Sequence, residues 1–274
     1  MTLLEVDDLR VSFPGRGWRA KPVEVLHGVS LSVAPGETLG LVGESGSGKT
    51  TIGRAVLGLV NPSGGDIRFD GTSIAGISAR DRRRLSRDVQ VVFQDPYTSL
   101  NPSMTIGDIL AEPLVIQGAT SKDARSRVKT LLDQVGLPAD AVERLPREFS
   151  GGQRQRVAIA RALAPEPRLI VCDEPVSALD LSTQARVLDL FVEIQRATGV
   201  AYLFVSHDLS VVRHISHRVA VLYRGDLVET GSAEHVTSTP DHPYTQKLLL
   251  AAPVADPLRQ RERREERRRV AAAS

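Results

Sequence analysis

The sequence predicts an α/β fold, a largely parallel sheet between helices with a helical subdomain set into it, and three observations carry that prediction. Short runs of apolar and β-branched residues recur at Thr38–Val42, Val89–Phe93, Leu169–Cys172 and Ala201–Val205. They are continuously apolar, not alternating, which suits strands buried on both faces of a parallel sheet. Each run leads into residues that chemistry uses: Gly43, Gln94, Asp173 with Glu174, and Ser206 with His207. Parallel sheets bind ligands at the carboxyl ends of their strands, so polar groups gathered at that edge mark a site. Thirdly, the texture turns helical between Tyr97 and Ala164, where Ile106–Gln117, Lys122–Val135 and Gly152–Ala164 carry helical apolar spacing. Pro102, Pro113, Pro138 and Pro146 punctuate the expected breaks.

Composition bounds the rest. The chain has 274 residues, 41% hydrophobic and 25% charged, enough to build a packed core. Thirty-five Lys and Arg nearly cancel 33 Asp and Glu, so the net charge of +2 offers no field for a nucleic acid. The excess is local: Arg259–Arg269 holds seven Arg against three Glu. That tail reads as a solvated helix, an anionic-lipid contact or an RNA contact. Ala79–Asp88, with five Arg and two Asp, reads as a solvated helix face in preference to a nucleic-acid stripe. The single cysteine, Cys172, cannot form an internal disulfide or hold a cluster alone, so a core position and a reducing compartment are expected. Runs such as Tyr202–Val205 and Leu248–Ala252 are far shorter than a membrane span. The N-terminus carries Glu5, Asp7 and Asp8 and no basic stretch, so no secretory signal is expected and the cytosol is the default.

Gly43-Glu44-Ser45-Gly46-Ser47-Gly48-Lys49-Thr50 fits G-x-x-x-x-G-K-[ST] and lies between a strand-like run and the helical run Thr51–Leu59. Glycines let the backbone curl until successive N–H groups face phosphates, and the helix N-terminus adds partial positive charge. Lys49 then bridges the β- and γ-phosphates of a nucleotide, and the Thr50 hydroxyl ligates Mg²⁺. Asp173 suits a Mg²⁺ contact through water, and Glu174 is placed to act as general base on an attacking water. Two carboxylates after a strand are otherwise an ordinary helix cap; the phosphate loop upstream favours the catalytic reading. Ser150-Gly151-Gly152-Gln153 opens a second Gly-rich helix N-terminus with anion-binding character.

Ser150–Gln153 followed by Arg-Gln-Arg-Val-Ala-Ile-Ala-Arg-Ala resembles the signature motif of the ATP-binding cassette (ABC) ATPases. Asp173-Glu174-Pro175 with Ser177-Ala178-Leu179-Asp180 resembles their Walker B and D-loop, His207 their switch histidine, and Gln94 their Q-loop glutamine. Phe13 resembles their adenine-stacking aromatic, with Trp18 as the alternative. The motifs stand in family order over roughly residues 4–235. The resemblance implies a P-loop NTPase core with an N-terminal antiparallel β portion. It divides the chain into an ATPase core (1–95 and 165–235), a helical subdomain (96–164) and a C-terminal extension (236–274). It implies ATP and Mg²⁺ as ligands, with Thr50, Gln94 and Asp173 toward the metal and Gly43–Thr51 around the phosphates. Two cassettes then close head to tail, so that Ser150, Gly151, Gly152, Gln153 and Asp180 act on the partner's nucleotide. His207 would hold the γ-phosphate and the attacking water.

Phe93–Pro102 and His242-Pro243-Tyr244-Thr245 further resemble the ATPase subunits of oligopeptide, dipeptide and nickel importers. The cysteines that related subunits often carry near the C-terminus are missing, so the chain is similar to the partner without a cluster. The implied partners are a second ATPase, identical or paralogous, two integral membrane permeases, and an extracytoplasmic solute-binding protein in the same system, at the cytoplasmic face of the cell membrane. No nucleic acid is expected. The rival readings are a soluble ABC ATPase working on nucleic acid or ribosomes, and an accessory ATPase of carbon-phosphorus lyase.

Overall fold

The computed structural model describes residues 1–15, 17 and 21–251. Trp18 and the Arg259–Arg269 tail, both singled out above, lie outside them. In chain order the strands are β1 (Leu4–Phe13), β2 (Val23–Val33), β3 (Thr38–Val42), β4 (Gly64–Phe69), β5 (Thr72–Ser73), β6 (Val89–Val92), β7 (Leu169–Asp173), β8 (Ala201–Ser206), β9 (Arg218–Tyr223) and β10 (Asp226–Ser232). The helices are α1 (Lys49–Val56), α2 (Ala79–Leu85), α3 (Pro96–Ser99), α4 (Ile106–Ile116), α5 (Ser121–Gln134), α6 (Gly151–Leu163), α7 (Leu181–Thr198), α8 (Leu209–Ile215), α9 (Ala233–Ser238) and α10 (Pro243–Ala251).

Two sheets form. An antiparallel one runs β2-β1-β4-β5, and the second runs β10-β9-β3-β8-β7-β6, parallel from β9 to β6 with β10 antiparallel at its edge. The difference follows from patterning. In β1, Leu4, Val6, Leu9 and Val11 point inward between exposed polar residues, whereas every residue of β3 and β8 is buried. Alternate residues of the buried strands feed two cores. Val42, Ile170, Cys172, Tyr202 and Phe204 join the layer built from α4–α8, while Leu39, Leu41, Val171, Leu203 and Val205 join α1 and the antiparallel sheet. Phe191 of α7 sets its ring edge-on to Tyr202 and Phe204 at 5.4 and 5.7 Å, contacts worth about 0.5–1.5 kcal/mol each beyond burial. Cys172 is fully buried in the first core, and burial pushes its thiol up.

Local chemistry sets the helix ends. Ser78, Thr105, Thr120, Ser150, Asp180, Asp208 and Ser232 each cap a helix with a side-chain oxygen accepting a first-turn N–H. Three expectations shift. The helix after the phosphate loop starts at Lys49, not Thr51, and stops at Val56, not Leu59, because Gly58 turns left-handed (φ 69°) and donates back to Ala55. Pro113 lies inside α4 instead of ending it; burial of Ile106, Ile109 and Leu110 on one face outweighs the lost bond. The Arg-rich run is helical only over Ala79–Leu85, and no α2 residue is buried. Leu85 packs against the core and Arg82 turns inward beside it, donating to Ile74 and Val56 carbonyls at 2.7 and 3.3 Å beneath Gly58.

Candidate functional site

The parallel register brings the motif-bearing strand ends together. β3 pairs Val42 with Ser206, and β7 pairs Asp173 with Val205, so Gly43, His207 and Asp173-Glu174 emerge side by side from three neighbouring strands. Gly43 takes φ 154° where an added Cβ would stand 2.1 Å from the Leu222 carbonyl, and Gly48 takes φ 107° against Leu26. Only glycine fits either place. Gly46, at φ 80°, faces open space.

Lys49 is buried and donates to the Gly43 and Glu44 carbonyls at 2.7 and 2.8 Å, so the ammonium is folded into its own loop. Burial lowers its pKa, against the attraction of Glu174, Asp173 and Glu44. Thr50 donates its hydroxyl to Asp173 Oδ1 at 2.9 Å. Burial raises the Asp173 carboxyl above its ordinary range despite that bond. Glu174 takes a left-handed backbone (φ 49°), rare for a residue with a side chain, and its N–H donates to the Val205 carbonyl of β8 at 3.0 Å. Its carboxylate, 18% exposed, accepts from His207 Nδ1 at 3.0 Å, which leaves Nε2 facing outward on a ring that is 54% exposed. A hydroxyl beside a buried carboxylate, a lysine over a helix N-terminus and an open glycine loop fit a nucleotide phosphate with a hard divalent cation. Among the described residues, Ser47 Oγ, buried against Gly43, has no hydrogen-bond partner.

Ser150, Gln153 and Asp180 make their hydrogen bonds at their own helix ends. Among the described residues, no hydrogen bond or ion pair joins Ser150–Gln153 to the phosphate loop. Ser150 and Gln153 form a reciprocal cap on α6. Gly152 sits so close to α7 that a Cβ would stand 2.3 Å from Thr183 Cγ2. Arg154 lies 4.0 Å over the exposed Tyr97 ring and donates to Phe149 O, tying α6 to α3. Asp180 accepts from Ser182 and Thr183 at the head of α7, and these bonds hold its carboxyl well below the usual range. Gln94 is exposed just beyond β6, and Phe13 ends β1 with 40% of its surface open. Sequence reasoning missed two contacts on the loop's outer side. Gly225 N–H donates to Ser47 O at 3.0 Å, and Glu44 N–H donates to the Tyr244 hydroxyl at 3.0 Å. The first had a readable signal: Arg224 and Gly225, both at positive φ, form the two-residue turn between β9 and β10. The second had none, since Tyr244 is 200 residues from Glu44.

A parallel sheet carrying this loop and these carboxylates at its carboxyl edge defines a P-loop ATPase of the cassette class. The chain belongs to the ABC transporter family, whose model matches residues 26–177. Glutathione import ATP-binding protein GsiA from Escherichia coli strain K12 is 51% identical over 267 residues, 96% of this chain and 43% of that protein. GsiA from Shigella flexneri serotype 5b is 52% identical over the same shares. The chain thus spans less than half the length of these curated relatives. Among solved structures, cbiO1 from Clostridium perfringens, part of the ABC transporter complex cbiONQ, aligns with a TM-score of 0.77 at 27% identity, covering 87% of this chain and 91% of that one. The dimeric bacterial ABC transporter cassette MJ0796 aligns at 0.75 and 27% identity, covering 84% and 98%. Among the described residues no helix is long and apolar enough to cross a membrane.

Proposed function

We propose that this chain is the ATP-binding and ATP-hydrolysing subunit of an importer for peptides or a related solute, working at the cytoplasmic face of the membrane. The observation that carries the reading is the meeting of Lys49, Thr50, Asp173, Glu174 and His207 at one sheet edge. The N–H groups of Gly46–Thr51 and the Lys49 ammonium hold the phosphates, and Phe13 stacks on the adenine. Thr50, Asp173 through water, and Gln94 would hold Mg²⁺, which neutralises phosphate charge when bound. Glu174 takes a proton from water as the water oxygen bonds the γ-phosphorus and the bond to the β-phosphate oxygen breaks. His207, anchored through Nδ1 to Glu174, turns Nε2 toward the same phosphate.

The signature residues Ser150, Gly151, Gly152 and Gln153, with Asp180, complete the site of a second cassette, identical or paralogous. That Ser150–Gln153 share no hydrogen bond with the chain's own phosphate loop supports that division of labour. It fits a core of 1–95 and 165–235, a helical subdomain of 96–164 and a C-terminal extension of 236–274. The remaining partners are two permease subunits and an extracytoplasmic solute-binding protein. That the relatives are import ATP-binding proteins supports import over action on ribosomes or phosphonates. The test is membrane pull-down with mass spectrometry alongside phosphate release from MgATP. Co-purifying permeases and release that depends on Glu174 are expected; hydrolysis without any permease, or none at all, would overturn the reading.

A further inference from the structure

We infer that Tyr244 is a positioning residue that latches α10 to the phosphate loop and so couples the docking of that helix to nucleotide affinity. The inference rests on the phosphate loop binding MgATP, as proposed above.

The Gly43–Glu44 peptide is held at both ends. Its N–H, that of Glu44, donates to the Tyr244 hydroxyl at 3.0 Å, and its carbonyl, that of Gly43, accepts from Lys49 Nζ at 2.7 Å; the next carbonyl, of Glu44, accepts from the same ammonium at 2.8 Å. A peptide unit is planar, so freeing the N–H lets that plane turn and loosens the hold of the Gly43 carbonyl on Lys49. Lys49 is the cation of the loop. The tyrosine that holds this peptide is itself immobilised: its ring is 9% exposed and stacks on Tyr223 with centroids 4.2 Å apart. Its backbone N–H donates to His242 Nδ1 at 3.1 Å. Glu229 of β10 accepts the N–H groups of Asp241 and His242 at 2.9 and 3.1 Å, fixing the entry to α10. The neighbouring turn donates Gly225 N–H to Ser47 O. A continuous set of contacts therefore runs from β10 through α10 to Lys49.

Coupling of this kind is reciprocal: what α10 docking adds to nucleotide affinity, nucleotide adds to α10 docking. A partner that displaced α10 would weaken nucleotide binding with no contact to the site.

The test uses the full chain. Tyr244→Phe keeps the ring stack and deletes one hydroxyl. MgATP affinity by calorimetry is expected to fall about three- to tenfold, the scale of one backbone hydrogen bond, and amide exchange at Glu44 to quicken. Tyr202→Phe, which loses a buried bond to Phe191 O, serves as control and should lower the melting temperature without moving affinity. Wild-type protein gives a second measurement that needs no variant: saturating MgADP should slow amide exchange across Pro243–Ala251. Unchanged affinity in a folded Tyr244→Phe, or α10 exchange indifferent to nucleotide, overturns the latch. Wild type that binds no MgATP overturns the nucleotide reading, and the latch falls with it.

Discussion

Glu174→Gln separates chemistry from binding. The substitution keeps the volume of a side chain that is 18% exposed and leaves an amide oxygen to accept from His207 Nδ1, the 3.0 Å contact in wild type. The left-handed backbone at Glu174 costs glutamine what it costs glutamate. Stability should therefore move by no more than about 0.5 kcal/mol, or roughly 1–2 °C in melting temperature. What disappears is proton acceptance. A positioned base contributes about 10²- to 10⁴-fold, so the barrier should rise by about 2.7–5.4 kcal/mol while MgATP still binds. Phosphate release measures the first quantity and calorimetry the second. Light scattering in ATP should show the paired form accumulating, because the step that parts it is blocked. Turnover within about threefold of wild type, at unchanged melting temperature, would remove Glu174 from the mechanism and leave its contact with His207 as structural.

Lys49→Ala should act on binding instead, raising the dissociation constant for MgATP about 10- to 100-fold, the scale of hydrogen bonds to a charged group, as calorimetry will read. Ser150→Arg should abolish hydrolysis while binding of MgATP by the single chain stays within about twofold; loss of that binding in a folded variant would contradict the shared site. Burial raises the Asp173 carboxyl, so the native chain keeps a proton that the unfolded chain has lost between the ordinary carboxylate range and the raised value. Ligand-free stability therefore falls as pH rises through that window. Asp173→Asn should melt above wild type in metal-free buffer at neutral pH, with the gap closing below about pH 4; a lower melting temperature at neutral pH would refute the sign.

Where burial and chemistry coincide, the sequence was readable. Thr38–Val42, Leu169–Cys172 and Ala201–Val205 are strands because every side chain is apolar or satisfied; the first two lead directly into Gly43 and Asp173, and the third reaches His207 two positions on. Phosphate-loop glycines were legible because left-handed backbone leaves few alternatives. The longest helix among the described residues, α7, went unread although its signals are ordinary: Asp180 caps it, Gly199 ends it at φ 71°, and Val187, Leu190, Phe191 and Ile194 form one buried face. β9 was missed because Arg218–Tyr223 is a short apolar run followed by no catalytic residue, yet it pairs directly with β3. Contacts set by tertiary approach, such as Tyr244 on Glu44 or Thr183 beside Gly152, leave no local periodicity to find. Pro113 misled because a rule for isolated helices gives way when three neighbours are buried.

The order of strands in the parallel sheet also has a history in time. β3 carries the phosphate loop, and both its neighbours, β8 and β9, come from the last third of the described chain. During synthesis at about 5–20 residues per second, the apolar strand that ends in Gly43 waits on the order of ten seconds to half a minute before either neighbour exists. Through that interval its backbone has no ladder, although Leu39 and Leu41 already have α1 and the antiparallel sheet to pack on, so a ribosome-bound or prematurely ended product exposes an unpaired strand. A nascent cassette cannot gather Gly43, Asp173, Glu174 and His207 at one edge until it has made Ala201–Ser206 and the histidine that follows, so no shorter translation product can assemble that site.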